Sequence, residues 1–271
     1  MKKLLLSFCL TALIVACSDD SSSAESEKHY PLQLNENCEN FKTDTSVWNA
    51  IENQNLSKLK KSLENCASLD MELYDTSLVS NYSVLADLLF QKEPESDSIL
   101  LYLLQNGMDY VGRDKWNIFA TDAMFAEDTL MLRYALDNDF PISGTTVRAA
   151  ITESATGFLG SKTGRYWYEQ LIKQIPNVDS VRLNTTSDFS ILHEFCDESV
   201  HFIGVSEEDQ LFYFQDLIDR GYSINQKSSG LVELDYCKYK NEYQTDLQKK
   251  FTDILIKAGA DTTLVKWTYS D

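Results

Sequence analysis

Apolar residues in this chain recur at intervals of three and four, not two, which predicts amphipathic helices. Ile99, Leu100, Leu103 and Leu104 fall on one helical stripe. Leu211, Phe214, Leu217 and Ile218 repeat that geometry, and Phe251, Ile254, Leu255 and Ile256 nearly do. Three of these apolar runs end alike, in the stretches Tyr102–Asp109, Asp216–Ser223 and Asp253–Asp261, with a glycine (Gly107, Gly221, Gly259) before a short polar turn. Glycine takes the left-handed conformation that closes a helix at little steric cost. A terminator that recurs implies a unit that recurs.

Aligning the chain on these ends places second-helix leucines at Leu63, Leu104, Leu136, Leu171, Leu217 and Leu255, with separations of 41, 32, 35, 46 and 38 residues. Upstream of five of them, Ser83–Leu88, Asn117–Asp122, Thr145–Ala150, Ser190–Phe195 and, less clearly, Gly230–Leu234 read as the starts of first helices. One helical pair cannot cover its own apolar face, so the next pair must. The expected fold class is therefore all-α. Scarce glycine and proline, 10 and 4 in 271 residues, agree with helices.

The pattern resembles ankyrin repeats, whose consensus has Thr-Pro-Leu-His-x-Ala at the first helix and Leu-Leu-x-x-Gly-Ala-Asp after the second. Leu255–Asp261, Leu104–Asp109 and the pair Leu192-His193 carry the likeness. The departures are many. No unit has the proline, and Ala86, Ala120 and Arg148 stand where the consensus has histidine. Asp139 stands where a glycine should end the helix, and Pro176 interrupts the fourth unit. The likeness runs from about Ser46 to Lys266 and implies an ankyrin-like helical-hairpin solenoid of about five to six irregular repeats. Within units, the first-helix anchor lies 19 and 17 residues before the leucine early on, then 24, 25 and 24. The second half thus carries inserts around Gly157–Gly164, Ser199–Glu208 and Lys240–Thr245. They either lengthen the helices by about two turns or build loops on one edge, and their shared length suggests one continuous extra ridge.

The N-terminus follows other rules. Lys2 and Lys3 precede the apolar run Leu4–Ala16, which is too short to span a bilayer comfortably. It ends Leu13-Ile-Val-Ala16-Cys17, which resembles the lipobox of bacterial lipoproteins. That resemblance implies cleavage after residue 16 and acylation of Cys17, with more than one acyl chain giving stable attachment. The alternative is an ordinary secretory signal. Ser18 after the cysteine favours the outer membrane over inner-membrane retention in enteric-type sorting. The expected address is the cell envelope, anchored in the outer membrane and facing the periplasm. Residues 17–37, rich in Ser, Asp and Glu, read as a flexible tether that cannot bury enough surface to order itself. Residues 38–271 form the expected repeat domain.

The whole chain carries a net charge of −18, from 24 basic and 42 acidic residues. Removing residues 1–16, with two lysines and no acid, leaves 22 − 42 = −20. Nucleic acid is excluded as a partner, and contact with membrane is expected through the lipid alone. A basic protein partner fits. Besides Cys9 and Cys17, four cysteines remain: Cys38, Cys66, Cys196 and Cys237. An even number in an exported chain suggests two disulfides. Three pairings are open and proximity favours Cys38–Cys66 and Cys196–Cys237; free buried cysteines are the alternative.

Catalytic and ligand motifs fail on detail. Gly157–Gly164 lacks the order of a phosphate loop, because Ser161 separates Gly160 from Lys162. His193-Glu194 opens like a zinc-protease motif, but His201 comes eight residues on instead of four. A looser metal set of His193, Cys196, His201 and Cys237 competes with a Cys196–Cys237 bridge beside a structural histidine. Acidic groups such as Glu207-Glu208-Asp209 are expected by chance in so acidic a chain. No enzyme activity, cofactor or metal is expected.

Tyr110, Arg113 and Trp116 lie in the segment that would project between two repeats, and they are the residue types richest at binding hot spots. The alternative has Trp116 tucked onto the next helix. Arg165-Tyr166-Trp167-Tyr168 reads as the start of a helix that enters the core. The functional expectation is a lipid-anchored envelope protein that binds another protein through a repeat surface. The alternatives are an immunity-type lipoprotein that neutralises an effector and, further off, a metal- or small-ligand-binding protein.

Overall fold

The computed structural model describes residues 38, 42–69, 81–91, 93, 95–108, 119–153, 160–182, 190–197, 202 and 204–266. Among them are twelve α-helices and no β-strand: α1 Ser46–Glu52, α2 Leu56–Glu64, α3 Asn81–Gln91, α4 Ser96–Gln105, α5 Phe119–Phe125, α6 Thr129–Asp137, α7 Gly144–Glu153, α8 Gly160–Leu171, α9 Ile191–Cys196, α10 Glu207–Asp219, α11 Glu233–Tyr236 and α12 Asp246–Lys257. The described chain is all-α. All six leucines assigned to second helices lie in even-numbered helices, and the five first-helix starts each overlap an odd-numbered one.

Local chemistry explains both ends of these helices. Polar caps start them: Asn55 accepts from the Lys58 amide, Asp128 from Met131, and Ser206 from Asp209. Thr245 and Gln248 form a reciprocal capping box at α12. At the other end, eight helices stop in one geometry. The second residue past the helix is left-handed in each case: Gln54, Cys66, Gly107, Glu127, Asp139, Gly221, Lys238 and Gly259. In each, that residue's amide and the next one reach back to the last turn, as Gly107 does to Leu104 and Met108 to Leu103. This is the Schellman arrangement, which satisfies carbonyls that the helix leaves open. Asp139, at φ 55°, adopts the conformation that a glycine takes elsewhere.

Helices pack in pairs along the chain: α1 on α2, α3 on α4, α5 on α6 and α7 on α8. Between pairs, odd helices meet odd and even meet even. Helix α5 contacts both α3 and α7, and the Thr121 and Thr146 hydroxyls meet at 2.6 Å. A buried ion pair, Arg148 to Glu194 at 3.2 Å, joins α7 to α9. His193 of α9 stacks flat on Tyr236 of α11, with centroids 3.6 Å apart. In the even row, Lys60 lies over the Tyr102 ring, α4 meets α6, and Arg133 of α6 covers Trp167 of α8 and hydrogen-bonds Tyr166. Tyr168 of α8 donates to Asp216 of α10, and α10 packs on α12.

The aliphatic stripe of α4 is fully buried, with Ile99, Leu100, Leu103 and Leu104 all at 0% exposure. Trp167 and Tyr168 are also core, as expected, whereas Tyr166 between them is exposed. A 3-10 turn at Val178–Ser180 lies against the start of α7. It comes so near that a methyl group on Gly144 would sit 2.0 Å from the Ser180 carbonyl oxygen.

Among the described residues, two of the inserts differ in structure. Residues Gly160–Gly164 belong to helix α8, whereas Lys240–Thr245 is a non-helical turn that begins at the left-handed Lys240. Both expected cysteine pairs are bonded. Cys38–Cys66 spans 28 residues with Cα atoms 5.6 Å apart, and Cys196–Cys237 spans 41 with Cα atoms 4.4 Å apart. The first bridge fastens the chain to the end of α2, where Lys42 and Cys66 also share a backbone hydrogen bond. No helix among the described residues is long and apolar enough to cross a membrane.

Candidate docking groove

Helix α10 is apolar on more than one side. Leu211, Phe214, Leu217 and Ile218 form the stripe read from sequence, and Phe214 and Leu217 are fully buried. A second stripe, Glu208, Leu211, Phe212 and Gln215, has the i, i+3, i+4, i+7 spacing of a helix face. On the neighbouring helix α12, Lys250, Asp253 and Ile254 make the facing stripe. Between them runs an open groove of about 510 Å³, also lined by Arg165 of α8. Its floor is the half-buried Leu211, Phe212 and Ile254; its rim is charged.

The rim cations are already engaged. Arg165 stacks its guanidinium 3.7 Å from the Phe212 ring centroid and pairs with Glu169 at 3.4 Å and Asp209 at 3.5 Å. Lys250 pairs with Glu207. Among the described residues Glu208 and Asp253 form no ion pair or hydrogen bond, and both are exposed. Two cations against the carboxylates of Glu169, Glu207, Glu208, Asp209 and Asp253 leave a local charge of −3. The groove therefore offers an apolar strip between acidic edges. It has no enclosed cavity in which a reacting group could be shielded from water.

A buried polar cluster lies on the odd row. The Ser190 hydroxyl caps α9 by accepting from the Leu192 and His193 amides, and donates its proton to Glu233 of α11. Glu233 is 2% exposed and its second oxygen has no hydrogen-bond partner among the described residues. Burial, only partly offset by the serine, pushes its acid up to about 7. Burial likewise holds the Tyr222 hydroxyl well above its ordinary range, and lowers His193. Nearby, Gln248 of α12 is fully buried; its amide donates to the Cys196 carbonyl at 2.7 Å while its oxygen completes the α12 cap.

These positions settle several sequence expectations. Cys196 and Cys237 are bonded to each other, so the loose metal set that included them does not form, and His193 is half-buried and stacked on Tyr236. His201 lies outside the described residues. Among the described residues no group of three or more His, Cys, Asp or Glu side chains is arranged to hold a metal ion. Cys17, Tyr110, Arg113 and Trp116 lie outside the described residues. The groove itself was missed. Its signal was Phe212 beside Leu211, off the main apolar stripe of α10, but its significance depends on α12 lying beside that face. The chain matches no protein-family model, no curated protein and no solved structure.

Proposed function

We propose that this chain is a lipid-anchored protein of the bacterial envelope that binds another protein through ankyrin-like helical hairpins stacked in line. The observation that carries the reading is the continuity of the two helix rows. Each odd helix from α3 to α11 touches the next odd one, and each even helix from α2 to α12 the next even one. Such an arrangement gives long open surfaces, suited to a macromolecule more than to a small substrate. Paired cysteines suit an oxidising, exported setting. Acylation at Cys17 would hold the domain at the membrane by a tether of residues 17–37, in the outer membrane and facing the periplasm.

Two measurements test this. Labelled palmitate should enter the wild-type chain and not Cys17→Ser, and the variant should leave the membrane fraction. The whole mature chain should retain a defined protein from envelope extract, with binding weakened by Trp116→Ala. Equal label in both forms removes the anchor; an extract that yields no specific partner under native, oxidised conditions removes the binding role.

A further inference from the structure

We propose that the α10/α12 groove is the seat of a basic peptide segment of the partner, with an apolar side chain on Leu211, Phe212 and Ile254 and cationic side chains at Glu208 and Asp253. The proposal rests on the protein-binding reading above and specifies where and what is bound. Three features point to this occupant. The groove has an apolar floor that remains half exposed along two facing helical stripes. Its own cations are consumed by internal pairs, so they neither repel a basic ligand nor neutralise the two free carboxylates. The local charge of −3 derived above has the sign of the whole chain at −18, so a cationic segment is steered toward the groove over a long range and then held at short range.

Other occupants fit less well. An acidic or neutral segment would leave Glu208 and Asp253 facing like charge or nothing. A second copy of this chain would bring an equally acidic surface against the groove.

The groove belongs to the even-numbered row. It is distinct from the segment holding Tyr110, Arg113 and Trp116, which connects an even helix to the next odd one. Loss of the groove carboxylates alone should weaken capture without abolishing it.

The test uses the oxidised mature chain and a fluorescent synthetic helical peptide with two leucines flanked by lysines at i and i+4, beside a version with glutamates for lysines. Fluorescence anisotropy should show binding of the lysine peptide alone, weakened about tenfold by Glu208→Gln with Asp253→Asn. A control, Asp137→Asn with Asp139→Asn, removes the same charge from two exposed positions at the end of α6 and should leave affinity within about twofold. Circular dichroism checks that both variants fold. Equal weakening by the control means that only overall charge is sensed, and overturns the groove. So does binding of the glutamate peptide, or a wild-type dimer that the groove substitutions dissociate. The same variants are then used for envelope capture. A partner retained at full strength by the groove variant overturns this inference and leaves the binding function standing; a partner retained by no form overturns the function itself.

Discussion

The first eight helices and the last four solve the same packing problem by different means. From α1 to α8, all eight helices run seven to twelve residues, and α4 buries a fully aliphatic stripe. Helices α9 and α11 have six and four residues. Elements so short cannot bury enough apolar surface to hold themselves in place. Here the chain adds a disulfide from the end of α9 to the residue after α11, the buried Gln248 bond to Cys196, and an aromatic group. In that group Phe195 stacks on Phe202 at 4.2 Å, and Phe214 meets Phe251 at 4.4 Å. Where burial is scarce, covalent and polar ties take its place.

The sharpest way to break this contrast is at its border. Glu194→Ala leaves Arg148 charged and buried, with its Nε already lacking a partner among the described residues, and should destabilise by about 3–5 kcal/mol in urea unfolding. The double change Arg148→Met with Glu194→Leu should recover most of that loss. Next, replacing Cys196 and Cys237 by alanine should cost about 3 kcal/mol and loosen α9–α12 first, as read by amide exchange. Protection that falls equally from α3 to α8 would mean that the two regions are one cooperative unit.

Glu233 gives a pH signature of the last four helices. Its folded acid titrates near 7, above the unfolded value of about 4.5. The folded state therefore holds its proton after the unfolded chain has lost it. The stability contributed is fully present below pH 4.5, falls through the window to about pH 7, and is flat above it. The fall should be on the order of 3 kcal/mol and should vanish in Glu233→Gln. Asp122, raised to about 6 by burial, adds a slope of the same sign that survives in that variant. In the first eight helices, Gly144→Ala should cost about 2 kcal/mol, since Ser180 must retreat from the new methyl group. The smallest effect is at the helix ends: Asp139→Gly should stabilise by about 0.5 kcal/mol, while Gly221→Ala should cost about 1 kcal/mol.

That last pair shows what could be read from sequence and what could not. Glycine flagged three helix ends because it is the residue for which the left-handed state is easy. Gln54, Cys66, Glu127, Asp139 and Lys238 take the same state with no such signal. The paired backbone bonds and the packing of the following residue, such as Phe140 after Asp139, outweigh the steric cost. The terminator is thus a geometry that residue identity reveals only in part. The leucine positions were legible because a buried stripe needs its period whatever the partner. Likewise Trp167 and Tyr168 declared themselves as core. The groove, the close approach at Gly144 and the Arg148–Glu194 pair were not legible, because each depends on which distant element arrives alongside.

The turns after α1 and α5 carry a further implication. Asn55 and Asp128 each donate a backbone amide to close one helix, to Ala50 and Ala123, while their side chains open the next at Lys58 and Met131. With one residue serving both neighbours, neither junction has slack. Adding or deleting a single amino acid there would rotate the second helix of the pair by about 100° and turn its oily side toward water. Any lengthening of the protein over evolutionary time, or by an engineer grafting a tag or epitope, is better borne at joints such as 237–245, where stop and start are held by different residues.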